Sequence, residues 1–82
     1  MVIVMGKQQH SEEELEFLRD FGLQVKRLRN HFKLTQEELA FRMNMTTQTL
    51  SDIENGKSDC QQTTSFLIAR ALGIHMCELY KF

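Results

Sequence analysis

The sequence predicts a small all-α domain of five helices. Three observations carry that prediction. The chain of 82 residues has no proline, no tryptophan and one tyrosine, whereas Leu, Glu, Gln and Arg, which favour helices, are abundant. Its apolar residues recur at three- and four-residue spacing, the signature of one helix face. Ser11 with Glu14, and Thr35 with Glu38, stand three apart, as a capping box requires. A chain of this length holds one hydrophobic core and has no room for a second.

Residues 1–11, opening MVIVMGKQQH, read as an N-terminal arm in which an apolar tetrad is followed by a polar joint with a glycine. Val2 to Met5 is too short for a membrane span or a signal-peptide core and lacks a basic flank. Two readings of the arm stay open: disorder, as at most termini, or dimer formation by pairing its Val-Ile-Val run with another chain as a short β segment.

Residues 12–82 form the domain. Its first helix, 12–31, is opened by Ser11, and the acids at 12 to 14 suit the positive end of the helix dipole. Leu15, Leu18, Phe21, Val25, Leu28 and Phe32 mark its apolar face, and Gly22 is a candidate kink. From Thr35 to Gly56 the chain reads as two short helices joined by a tight turn. Thr35 caps the second helix, which begins at Gln36 and turns Leu39, Ala40 and Met43 inward, with the alanine allowing a neighbouring backbone to come close. Asn44 suits the left-handed turn that follows. Thr46 caps the third helix, Leu50 and Ile53 form its inner face, and Gly56 stops it. The fourth helix, Thr63 to Leu72, is expected to turn Phe66, Ala69 and Leu72 inward and to end at Gly73. Ile74 and Leu79 would staple a last helix capped by His75, with Glu78 in its third position. Histidine is a poor cap, so a frayed end is expected.

The third helix carries the chemistry. Thr47, Gln48, Ser51, Asp52 and Asn55 share one outward stripe. A solvated face is usually rich in Glu, Lys and Arg; this one is made of short hydrogen-bonding side chains, several of them mediocre helix formers. Such groups meet base edges in a DNA major groove. Thr47, Gln48, Ser51 and Asp52 are therefore the candidate base-reading residues. Gln48 can bind adenine through two hydrogen bonds, Thr47 can touch a thymine methyl, and Asp52 can accept from cytosine N4. A carboxylate facing a duplex is also repelled by phosphates, so Asp52 is either a discriminator or an ordinary surface residue. The start of the second helix favours an anion, and Gln36 there can add a hydrogen bond to a phosphate.

Net charge is −1, an awkward value for a DNA binder, whose affinity comes largely from neutralising phosphates. The imbalance is local. Residues 1–20 sum to −3, and residues 21–82, with eight Lys or Arg against six acids, to +2.

Cys60 and Cys77 match no metal motif, and a helical core of this size needs no bridge, so both read as reduced thiols in a cytoplasm. His10, His31 and His75 are not spaced to share a site with them. No phosphate-binding glycine loop or nucleophile motif is present. Neither enzymatic activity nor a cofactor or metal is expected.

LTQEELA, LSDIENGK and ALGI…ELY, in this order and spacing, resemble the lambda repressor/Cro-like helix-turn-helix family, the Cro/CI or Xre type. The resemblance covers Gly22 to about Leu79, with the helix-turn-helix motif at 36–55. It implies a compact five-helix lambda-repressor-like DNA-binding domain whose first helix is extended here by Glu12 to Asp20, a segment that either folds back on the module or forms a dimer seam. It implies a structural salt bridge between Arg29 and Glu54, and phosphate contacts from Gln36, Thr46, Asn55 and Lys57. Gln62 and Ser65 stand where the family tends to be apolar, so a looser face is expected there.

The function implied is a sequence-specific transcriptional regulator, a repressor that binds a palindromic operator in double-stranded DNA as a homodimer. An antitoxin that also holds a toxin, or a restriction–modification controller, would use the same domain. A protein-interaction module without DNA binding is the alternative of another class, and the low charge suits it.

Overall fold

In the computed structural model, which describes residues 10–82, four α-helices precede a short 3-10 helix: α1 Glu12–His31, α2 Gln36–Arg42, α3 Thr47–Glu54, α4 Gln62–Leu72, and Met76–Tyr80. Among the described residues there is no strand. The N-terminal arm expected at residues 1–11 lies, up to residue 9, outside the described residues.

Both capping boxes are formed. The Ser11 and Thr35 hydroxyls accept from the amides of Glu14 and Glu38, whose carboxylates accept in return from the amides of Ser11 and Thr35, both at 2.8 Å. Donation from those cap amides holds both carboxyls below the ordinary glutamate value of 4.5. A depressed folded pKa adds stability that is present above the unfolded value and lost as pH falls through the folded one. Glu14→Gln/Glu38→Gln keeps an acceptor in each box and removes the titration. The denaturant midpoint of the double variant is therefore expected to fall less steeply than that of the parent between about pH 5 and pH 3; superimposable pH profiles would refute this.

All four α-helices end alike. Lys33, Asn44, Gly56 and Gly73 each adopt a positive φ, between 57° and 73°. Each amide there, and the next one along, turns back onto the last carbonyls of its helix, which satisfies groups a helix end leaves open. Asn44, Gly56 and Gly73 are residue types that tolerate this geometry. Lys33 is not, and nothing in its identity announces the turn that ends α1.

The core joins Phe21 and Val25 of α1, Leu39, Ala40 and Met43 around α2, Leu50 and Ile53 of α3, Ile68, Ala69 and Leu72 of α4, and Leu79. Gly22 is not a break: α1 runs through it as one helix. Its role is proximity, since a Cβ there would lie 2.5 Å from the Glu54 carbonyl oxygen. On α1, Leu15 and Phe32 stay exposed. The extension folds back on the module. Leu18 is buried, and Phe17 lies against Phe21, Tyr80 and Phe82, with ring centroids 5.7–6.5 Å away.

Several expectations for the last third of the chain are corrected. α4 begins at Gln62, one residue early, after a Gln61 cap that makes no side-chain bond. Phe66 does not face inward; it is 49% exposed, with the Arg70 guanidinium 5.6 Å above its ring. Ser65 and Ile68 take the inner positions. A serine can do so because its hydroxyl accepts from Tyr80 Oη at 3.0 Å and lies 3.4 Å from Cys60 Sγ, so no looseness results at Ser65, while Gln62 is simply solvated. Burial raises the Cys60 thiol pKa. Cys60 and Cys77 are both free thiols. The closing element is a 3-10 helix with no side-chain cap from His75. Yet Leu79 is fully buried, and Gln24 Nε2 of α1 donates to the Glu78 carbonyl at 2.9 Å. Among the described residues no helix is long and apolar enough to cross a membrane.

Candidate nucleic-acid interface

α3 is an eight-residue helix whose apolar residues are all consumed by the core, which leaves the remaining side chains for the surface. Thr47, Gln48 and Asn55 are exposed; Ser51 and Asp52 are half-buried along the same stripe. None is packed into the protein's interior. Lys57 follows on the exposed side of the turn at Gly56.

These side chains are already paired along the helix. Thr46 Oγ1 accepts from the Thr49 amide at 3.1 Å and lies 2.8 Å from Thr49 Oγ1. Gln48 Nε2 donates to Asp52 Oδ1 at 2.8 Å, and Asn55 Nδ2 donates to Ser51 Oγ at 3.3 Å. Thr49, absent from the candidate set, enters through its contact with the cap. Its position three residues after Thr46 was the available signal.

Beneath the stripe, one carboxylate joins three helices. Glu54 Oε2 accepts from Arg29 Nε at 2.7 Å, and Oε1 accepts from Arg29 Nη2 at 3.1 Å and from Gln36 Nε2 at 3.0 Å. Arg29 Nη1 donates to the Leu34 carbonyl in the loop before α2, at 2.8 Å. The side chains of Arg29 and Glu54 are only 9% and 1% exposed. Bidentate geometry and the added bonds satisfy both charges. The network fixes the angle of α3 against α2 and α1, while Arg42 Nη1, donating to the Ala71 carbonyl at 3.3 Å, ties α2 to α4.

Gln36 is therefore not free to act as a phosphate ligand alone. One of its amide hydrogens is given to Glu54, and the rest of the half-buried amide remains at the surface beside the start of α2. Among the described residues neither Asp52 nor Lys57 forms an ion pair. Among the described residues the face thus carries one carboxylate, Asp52, and just past it one cation, Lys57, neither of them in an ion pair.

Residues 25–79 match the family model described as Helix-turn-helix. Among solved structures, the restriction-modification controller protein C.AhdI from Aeromonas hydrophila is 31% identical, over 76% of this chain and 94% of that one, with a TM-score of 0.75. The clp gene regulator ClgR from C. glutamicum is similar in fold, at 20% identity over 78% of this chain and 83% of that one, with a TM-score of 0.75. So is the restriction-modification controller protein C.Esp1396I, solved as a tetramer with its natural 35-base-pair operator, at 23% identity over 79% of this chain and 86% of that one, with a TM-score of 0.73. No curated protein matches the chain.

Proposed function

The chain belongs to the helix-turn-helix family whose model spans its residues 25–79, and from that premise we propose that it is a cytoplasmic, sequence-specific DNA-binding regulator, a repressor that occupies a palindromic operator as a homodimer. The observation that carries the reading is the outer face of α3: a row of short hydrogen-bonding side chains, uncharged except for Asp52 and none of them used by the core, on a helix clamped from beneath through Glu54. Thr47, Gln48, Ser51 and Asp52 read base edges, while Gln36, Thr46, Asn55 and Lys57 hold phosphates on either side. One such helix spans only a few base pairs, so two copies on half-sites about one helical turn apart give the required specificity.

Selection of bound duplexes from a random pool tests this, and two-fold symmetry in the enriched sequences is the expected result. On the selected site Gln48→Ala is expected to cost about 1–3 kcal/mol and to change affinity for random duplexes little. Lys57→Ala should weaken both to a similar degree and reduce the salt slope by about 1. If Gln48→Ala lost as much on random DNA as on the selected site, base reading by that residue would be excluded.

A second reading has its own support: the 31% identity to a restriction–modification controller extends over 94% of that protein. On that reading the chain controls the expression of restriction–modification genes. Recovery of the selected operator beside such genes, with a reporter there responding to the chain, supports a controller; a selected operator with no such neighbours leaves the simple repressor.

A further inference from the structure

We infer that Gln48 and Asp52 act as one recognition unit, in which Asp52 fixes the Gln48 amide so that the pair presents acceptor oxygens and selects base pairs whose major-groove amino group, adenine N6 or cytosine N4, lies on the strand nearer the helix. The inference rests on the DNA-reading proposal above and narrows it to a base class.

The argument starts from the one hydrogen bond that joins them. Gln48 Nε2 donates to Asp52 Oδ1 at 2.8 Å, one turn along the outer face of α3. A primary amide has two N–H donors and one carbonyl acceptor, and a carboxylate has only acceptors. With one amide hydrogen committed to Asp52, the orientation of the amide is set. What remains free is Gln48 Oε1, one N–H, and Asp52 Oδ2. Two of these three groups are acceptors, and one carries a charge that no ion pair among the described residues offsets.

A major groove offers donors only at adenine N6 and cytosine N4; guanine N7 and O6 and thymine O4 are acceptors. Asp52 Oδ2 therefore matches cytosine N4 and repels guanine. Gln48 Oε1, with its remaining N–H, matches adenine N6 and N7. The carboxylate works against affinity in general, because it faces phosphates, and in favour of discrimination, because a wrong base leaves it unpaired. A free glutamine could turn both N–H groups of its amide toward guanine's two acceptors. Held by Asp52, it has one N–H left for them, which favours adenine, so Asp52 is a positioning residue for Gln48 as well as a reader in its own right. The pairing also removes side-chain freedom before binding, which lowers the ordering cost on the site.

The test is a selection from random duplexes, run in parallel on the parent chain and on Gln48→Ala, Asp52→Ala and Asp52→Asn. All three substitutions lie on the surface of α3, and melting curves verify the fold. The position that flattens in Gln48→Ala identifies the base read by Gln48. The parent is expected to enrich adenine or cytosine there and at the neighbouring position on one strand. Asp52→Ala is expected to bind random duplexes more tightly, through loss of repulsion, and to lose about tenfold of its base preference at the Gln48 position although Gln48 is intact. Asp52→Asn keeps an oxygen able to hold the glutamine. It should retain the preference at the Gln48 position and lose the cytosine preference at its own. An Asp52→Ala profile identical to the parent at the Gln48 position, or a parent that enriches adenine or cytosine at one of the two positions beside guanine or thymine at the other on the same strand, overturns the inference while the DNA reading stands. A parent that enriches no sequence overturns the DNA reading itself, and this inference with it.

Discussion

Glu54→Ala is expected to lower the unfolding free energy by about 3–5 kcal/mol. Natural domains of this size are stable by roughly 0.05–0.15 kcal/mol per residue, so the loss would remove much of the total. Three consequences add up. The Arg29 guanidinium stays buried with no counter-charge, Gln36 loses the acceptor that holds it, and α3 is released from α1 and α2. Urea denaturation followed by circular dichroism measures the change. The decisive comparison is with Arg29→Met/Glu54→Leu, which removes both charges and leaves apolar bulk. Replacement of a whole buried pair is often neutral or stabilising, so this variant should recover most of the loss, short of the bonds to Gln36 and Leu34. It should not recover operator binding in full, because the angle of α3 to α2 is then set by packing alone. A Glu54→Ala protein within about 1 kcal/mol of the parent, the range of exposed ion pairs, would mean that water reaches the pair.

Gly22→Ala should also be damaging, against the direction helix propensity suggests. Alanine is the better helix former by about 1 kcal/mol. Its Cβ, however, would sit 2.5 Å from the carbonyl oxygen and 2.8 Å from the carbonyl carbon of Glu54. These are backbone atoms at the end of a helix that the Glu54 network pins, so they cannot swing aside as a side-chain tip would. Overpacking of this kind typically costs about 1–3 kcal/mol and occasionally more. With rigid atoms on both sides the upper part of that range applies, for a net loss of about 2 kcal/mol and a fall in Tm of roughly 8–16 °C. Gly73→Ala is the internal control: its φ of +73° is strained for alanine but nothing lies within 4 Å of the added Cβ. A smaller loss, of about 1 kcal/mol from the left-handed backbone alone, is expected there. Should Gly22→Ala melt at or above the parent temperature, α1 and α3 would have to separate at little cost.

Where the chain was legible, local chemistry was doing the specifying. The α1 bounds, the two capping boxes, the turn at Asn44 and the inner faces of α2 and α3 depend on residues within one or two helical turns of each other, and those interactions survive whatever the rest of the fold does. The stripe on α3 was legible for the same reason: once Leu50 and Ile53 point inward, periodicity sends Thr47, Gln48, Ser51, Asp52 and Asn55 outward. α4 was ambiguous because Phe66, Leu67, Ile68, Ala69, Ala71 and Leu72 satisfy more than one inward register.

The amino-acid sequence by itself determined a helical domain, most of its helix boundaries and the outward polar face of α3, because each follows from residues near one another along the chain. Only the tertiary structure decided which register of α4 is buried, that Ser65 is a satisfied core residue through Tyr80 and Cys60, that Gly22 is a contact point and not a kink, and that Gln36 is bound to Glu54. Those outcomes join residues up to about thirty positions apart, where the choice is made by which pairing leaves no buried polar group unsatisfied and no backbone overlapped, a criterion that exists only once the helices are packed.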